Sequence, residues 1–279
     1  MKWHSVVQVI SPYVFKIETP RGHGTGFLCL YDEGKDYVGI ATAYHVIDDA
    51  DEWLEPIRIR HHQSGKTVLF KEGERIIFGS RKNDSAVILV QSGVFDLPSD
   101  LVQLIPADKI LKIGVDVGWL GFPAMEPNTL CFFSGTISAQ QPNRDAYLID
   151  GVAINGVSGG PVFDDGTILT DTPRIIGVVT AYLANRATGA TLPGLAYAQD
   201  VSHFHETTST LKSLYEAQKQ KQKEQERAQS QPPLEPLDQV SEQPTPLSPE
   251  SIPLDPNAAY NTQPDLVGKP KRRSRNSSL

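Results

Sequence analysis

Apolar and polar positions along the first two hundred residues alternate in short runs, each β-branched or aromatic and each bounded by Gly, Pro, Asp or Asn clusters. This pattern predicts strands at Val6–Ile10, Val14–Glu18, Gly26–Tyr31, Tyr37–Thr42, Ile57–His61, Thr67–Lys71, Ile76–Gly79 and Ala86–Val90. It resumes at Asp116–Leu120, Leu130–Ala139, Ala146–Asp150, Pro161–Phe163, Arg174–Tyr182 and Gly194–Ala198. Many short strands at this spacing argue an all-β sandwich or barrel. A break near Pro98–Leu104 is the expected linker between two halves.

After Asp200 the cadence becomes helical, with Phe204, Leu211, Leu214 and Tyr215 partly periodic, and this stretch is expected to pack on the second half. Residues 216–230 turn Gln-, Lys- and Glu-rich and read as a charged helix or linker. From 231 to 270 lie ten of the chain's 21 prolines with few large apolar residues, the composition of a disordered tail, and a basic end follows at Lys271–Arg275. The expected division is therefore a folded domain over 1–215, the charged segment 216–230 and the tail 231–279.

Composition narrows the function classes. Net charge is −7, and residues 1–210 hold sixteen Lys and Arg against twenty-four Asp and Glu, so the predicted folded part is the acidic part. An acidic domain of this kind is not expected to bind nucleic acid. No long apolar span predicts a membrane crossing, and no secretory leader is evident at the N-terminus, so the chain reads as cytoplasmic or as a form whose leader is absent. Only Cys29 and Cys131 are present, both inside apolar runs, where buried free thiols in a reducing compartment are the expectation.

Three segments carry chemistry. Asn155-Gly156-Val157-Ser158-Gly159-Gly160-Pro161-Val162 sets a serine in a glycine-rich turn that can expose its hydroxyl and nearby backbone N–H groups. A serine hydroxyl needs a positioned base, and the base a third group to orient it. Upstream, Ile40-Ala41-Thr42-Ala43-Tyr44-His45-Val46-Ile47 places a histidine at the end of an apolar run, and Asn83-Asp84-Ser85-Ala86-Val87-Ile88-Leu89-Val90 places a carboxylate at the mouth of another. Asp48, Asp49 and Asp51 compete for the acid role but lack the apolar run that follows Asp84.

In these segments the chain resembles the trypsin/chymotrypsin-like serine endopeptidases, and among them the bacterial high-temperature-requirement (HtrA-type) proteases. Gly24-Thr25-Gly26-Phe27, Gly118-Trp119-Leu120-Gly121-Phe122-Pro123, Ser134-Gly135-Thr136-Ile137-Ser138 and Ile176-Gly177-Val178-Val179-Thr180 fall in the family's order, and the resemblance covers residues 1–210. It implies two six-stranded antiparallel β-barrels, a cleft between them and a C-terminal helix. It implies His45 as general base, Asp84 as its orienting acid, Ser158 as nucleophile, and the N–H groups of Gly156 and Ser158 as an oxyanion hole. It further implies that Thr180, with its hydroxyl supporting Asp84, Ala181 and Tyr182 meet the substrate backbone, and that Val152 lies at the base of the primary pocket. With no carboxylate there, the expected preference is for small or medium apolar residues before the scissile bond.

Two departures from the family pattern bear on function. Tyr44 stands where a small residue or asparagine is usual, and is expected to crowd the cleft. Val157 stands where zymogen-activated members hold an aspartate that pairs with a freed N-terminus, so the turn is expected to form constitutively or to be ordered by a partner. The residues after 200 do not resemble the peptide-binding module that HtrA-type proteases carry, which leaves the tail as a possible contact for a regulatory partner. The implied partner is a protein or peptide substrate, with no cofactor; His203-x-His205 lacks further ligands at metal-binding spacing. The competing reading is a catalytically silent protease-fold module that binds peptides or proteins.

Overall fold

The structure is a computed structural model and describes residues 2–167, 171–185 and 192–230, with the side chains of 182–194 and 228–230 outside that description. The Pro-rich segment and its basic end lie outside the described residues.

The chain opens with helix α1 (Trp3–Ile10), where alternation predicted a strand. Val6, Val7 and Val9 invite an extended reading, but Trp3, Val6, Val7 and Ile10 fall at helical spacing on one face. That face is buried, with Val6 and Ile10 fully enclosed and the Trp3 ring 5.5 Å from Phe132 and 6.2 Å from Phe163.

Seven antiparallel strands follow, β1 (Val14–Thr19), β2 (Gly22–Tyr31), β3 (Tyr37–Thr42), β4 (Ile57–His61), β5 (Thr67–Phe70), β6 (Arg75–Ser80) and β7 (Ser85–Gln91). They form one sheet in the order β5-β4-β1-β2-β3-β7-β6. Hydrogen bonding leaves this first sheet open between β5 and β6, where a closed six-stranded barrel was expected. A short helix α2 (Asp48–Glu52) follows β3. The second half is the closed six-stranded barrel predicted, with β8 (Asp116–Gly121), β9 (Cys131–Gln141), β10 (Ala146–Asp150), β11 (Pro161–Phe163), β12 (Ile175–Asn185) and β13 (Leu192–Asp200) in the order β10-β13-β12-β11-β8-β9. The all-β, chymotrypsin-like arrangement therefore holds.

Helix α3 (Ser202–Ser230) leads from β13 to pack against β7 of the first sheet, where packing on the second half was expected. Phe204 is fully buried against Phe27 of β2 at 5.8 Å, and His203 and His205 donate from Nε2 to the carbonyls of Phe78 and Ile105. These two histidines dock the helix by pointing to different partners. The helix runs on through the charged segment because Ala, Gln, Lys, Glu and Arg are strong helix formers. Cys29 is buried and donates to the Gly39 carbonyl, and burial pushes its thiol pKa up; Cys131, expected to be buried, is partly exposed.

Candidate active site

The pairing of β3 with β7 brings the first two candidate groups together. Thr42 lies opposite Ala86 in that ladder, so the residues that leave β3 meet the residues that enter β7. Tyr44 N–H donates to the Asp84 carbonyl at 3.2 Å, His45 N–H donates to Asp84 Oδ1 at 2.9 Å, and the His45 ring donates from Nδ1 to Asp84 Oδ2 at 2.8 Å. Asp84 holds a positive φ of 43°, which an aspartate tolerates better than most residues. Both carboxylate oxygens thus serve one histidine, and the contact fixes the Nδ1–H tautomer that leaves Nε2 free to accept a proton. The bonded carboxylate holds His45 above the ordinary histidine range, against the opposing effect of burial.

Tyr44 does not crowd the cleft. Its ring lies over Gly79, where an added Cβ would come within 2.3 Å of it, and its hydroxyl donates to Asp51 at 3.0 Å.

Ser158 sits in the loop between β10 and β11, and this loop docks on the first sheet. The Thr25 N–H of β2 donates to the Ser158 carbonyl at 2.8 Å, which carries the serine to the cleft wall formed by His45. Ser158 and His45 line two adjoining cavities. One, of about 290 Å³, adds His23, Asp48, Asn155 and Gly156; the other, of about 240 Å³, adds Ala153, Ile154, Asn155, Val179, Thr180 and Ala181. Among the described residues the Ser158 hydroxyl makes no hydrogen bond.

The backbone of the turn is selectively satisfied. Val157 N–H donates to Ile154, Gly159 N–H to Val179 at 2.7 Å and Gly160 N–H to Val157 at 2.9 Å. Among the described residues the N–H groups of Gly156 and Ser158 donate to no protein group. The Asn155 carbonyl accepts from Ala124 N–H at 2.7 Å, and among the described residues no peptide is cis. A trans peptide sets C=O and N–H in opposite directions, so the Gly156 N–H faces away from Ala124.

Glycine is required here twice. Gly156 has φ 90°, and a Cβ would lie 2.3 Å from the Phe122 carbonyl; Gly159 has φ 85°, and a Cβ would lie 2.0 Å from the Thr25 carbonyl and 2.2 Å from Thr42 Oγ1. Gly159→Ala therefore forces the loop off the first sheet. The expected result is a loss of about 3 kcal/mol or more in stability together with activity, read by thermal melting and peptide hydrolysis. Unchanged melting would show that the loop is not docked this tightly.

Val157 is fully buried beside Gly121 and serves as a core residue. Val152 does not take the place expected for it. It is 46% exposed just past the Gly151 turn, and Ala153 and Ile154 line the cavity in its stead. Thr180 is buried beside the cleft, but among the described residues its hydroxyl makes no hydrogen bond to Asp84. Ala181 lines the same cavity, and Tyr182 continues β12 opposite Ala196. Unforeseen neighbours of the site are Thr25, Ala124 and His23, whose Nε2 donates to the Phe122 carbonyl at 3.1 Å. A threonine between two glycines was the one sequence signal for the first; the backbone donor of Ala124 left none. Among the described residues no group of acidic, histidine or cysteine side chains is placed to hold a metal, and no helix is long and apolar enough to cross a membrane.

A histidine bonded to a carboxylate thus lines the same cavities as a serine on a glycine-rich turn, between two β-sheets. A family model described as "Trypsin-like peptidase domain" matches residues 24–168, and the chain belongs to that family. Among solved structures the fold is similar to Rv3671c from M. tuberculosis H37Rv, a serine-to-alanine mutant in an inactive form, at 19% identity and a TM-score of 0.50 over 75% of this chain and 90% of that one. It is similar also to Deg5, at 22% identity and a TM-score of 0.54 over 73% of this chain and 90% of that one. No curated protein matches the sequence.

Proposed function

We propose that the chain is a serine endopeptidase that hydrolyses peptide bonds through an acyl-enzyme. The observation that carries this reading is the pair of hydrogen bonds that His45 donates to Asp84 beside a serine whose turn leaves two N–H groups unused. In the proposed reaction Ser158 Oγ attacks the peptide carbonyl carbon while His45 Nε2 takes the hydroxyl proton. Asp84 stabilises the imidazolium without being protonated itself. The N–H groups of Gly156 and Ser158 receive the developing oxyanion, a contribution of about 3 kcal/mol for one such donor. Collapse of the tetrahedral intermediate breaks the C–N bond, and His45 returns the proton to the leaving amine. Water then attacks the acyl carbonyl as His45 takes its proton, and the acyl C–O bond breaks as His45 returns that proton to Ser158 Oγ.

The residue before the scissile bond would enter the cavity lined by Ala153, Ile154, Val179 and Ala181, which offers no carboxylate to a basic side chain. Its volume of about 240 Å³ favours small or medium apolar residues. The extended backbone of the substrate would lie along Thr180–Tyr182. Peptide substrates varied at that one position test the reading, with Ala and Val expected to exceed Arg and Asp in kcat/KM; an Arg preference would contradict it.

The acid limb of kcat/KM supplies a second test. His45 must be neutral to accept the proton, and Asp84 raises its pKa, so activity falls as pH drops through a value above that of a free histidine. A limb at or below the ordinary histidine pKa would show that Asp84 does not act on the base in solution.

A further inference from the structure

Val157, fully buried and apolar, supplies no polar tether to the turn that carries Ser158, so something else must aim the two unused N–H groups. A free N–H is aimed by what holds the carbonyl of its own peptide and by what holds the peptides on either side. The Asn155 carbonyl, in the peptide of the Gly156 N–H, is held by Ala124 N–H, and the Val157 carbonyl, in the peptide of the Ser158 N–H, is held by Gly160 N–H. The two peptides that alternate with these are both held by one residue. Thr25 Oγ1 donates to the Gly156 carbonyl at 2.9 Å, and Thr25 N–H donates to the Ser158 carbonyl at 2.8 Å.

Thr25 is fully buried, and all its polar atoms are engaged. Its hydroxyl also accepts from Phe122 N–H at 3.0 Å, which ties the segment bearing Ala124 to the same point, and its carbonyl accepts from Thr42 Oγ1 at 2.7 Å. One side chain of the first sheet thus fixes both the turn of the second barrel and the strand end that orients it. We propose that Thr25 is the positioning residue of the oxyanion turn, and that its hydroxyl keeps the Gly156 and Ser158 N–H groups preformed without any ion pair at residue 157. The proposal rests on the reading of those two groups as the oxyanion donors.

Buried, hydrogen-bonded and confined by neighbours on both sides, the Oγ1 has no alternative partner, so its deletion leaves the Gly156 carbonyl and the Phe122 N–H unsatisfied. Thr25→Val keeps the shape, the backbone bonds and the β-branching while removing that atom.

The expected result is a fall in kcat of about 100-fold, of the order seen when one oxyanion donor is lost, with KM changed less than about twofold. Affinity for a peptide aldehyde, whose hemiacetal oxygen would occupy the same hole, should fall by the same factor as kcat. Thr25→Ser should restore both. If the valine protein does not fold, Thr25→Ala is measured in the same way. Wild-type kcat in a folded valine or alanine variant would overturn the proposal, as would a loss carried by KM or a loss that serine does not rescue. A fluorophosphonate probe on the wild-type protein separates the two levels. Labelling at Ser158 with an unimpaired valine variant removes only the role of Thr25, whereas no labelling of folded wild type removes the reading of Ser158 and this proposal with it.

Discussion

Ser158→Ala is expected to lower kcat for peptide hydrolysis by about a millionfold, as loss of the nucleophile does in subtilisin, while thermal stability stays within about 0.5 kcal/mol of wild type. The two halves of this expectation have separate causes. Among the described residues the hydroxyl makes no hydrogen bond, so its removal leaves nothing unsatisfied. The bonds that dock the turn use the backbone of residues 155–160 and survive the change. Residual hydrolysis above the uncatalysed rate would come from the oxyanion donors and substrate binding alone. An alanine variant that kept more than about a tenth of wild-type kcat would place the nucleophile elsewhere, since intact triads lose far more than this. A large fall in melting temperature would instead show that the loss of activity came from an opened loop.

Asp84→Asn is the second large expectation, a fall in kcat of about 10⁴-fold with the fold retained. Asparagine can still accept the His45 backbone N–H through its oxygen, in place of the 2.9 Å bond to Oδ1. The other terminal atom becomes an NH₂ donor facing Nδ1, where the carboxylate accepted at 2.8 Å. Two donors cannot share that contact, so the ring adopts the other tautomer and carries its proton on Nε2, where it cannot act as a base. Because Asp84 is the main cause of the raised His45 pKa, with Asp48 adding to it, the acid limb of whatever activity remains should move down in pH. Activity within tenfold of wild type, or an unmoved limb, would mean that Asp84 does not orient the base.

The parts of the molecule that could be read from the chain are those fixed by local pattern. The strands β4, β10 and β11 end where alternation and turn residues end, whereas a shared place for His45 and Asp84 was expected only from the family resemblance, and it takes the long-range pairing of β3 with β7 to bring them together. The first helix was misread because three valines in its short span satisfy a strand pattern; the burial of Val6 and Ile10 on the face whose Trp3 ring meets Phe132 and Phe163 decides for the helix. Val152 was misplaced because the exit from β10 turns at Gly151, and a shift of one residue exchanges an inward for an outward side chain. Thr25 was beyond reach for a different reason. Its hydroxyl meets the Gly156 carbonyl across 131 residues, and the threonine between two glycines marks a special position without naming that partner. The docking of α3 on the first sheet is likewise a long-range outcome, set by Phe204 against Phe27 and by two histidines finding carbonyls.

The central claim, that Ser158 is an activated nucleophile in a turn already formed, is tested most directly by treating the purified protein with a fluorophosphonate and mapping the adduct by mass spectrometry. A single adduct on Ser158, absent from His45→Ala under the same conditions, is the predicted result; folded protein that remains unlabelled, or labels equally well without His45, would contradict it.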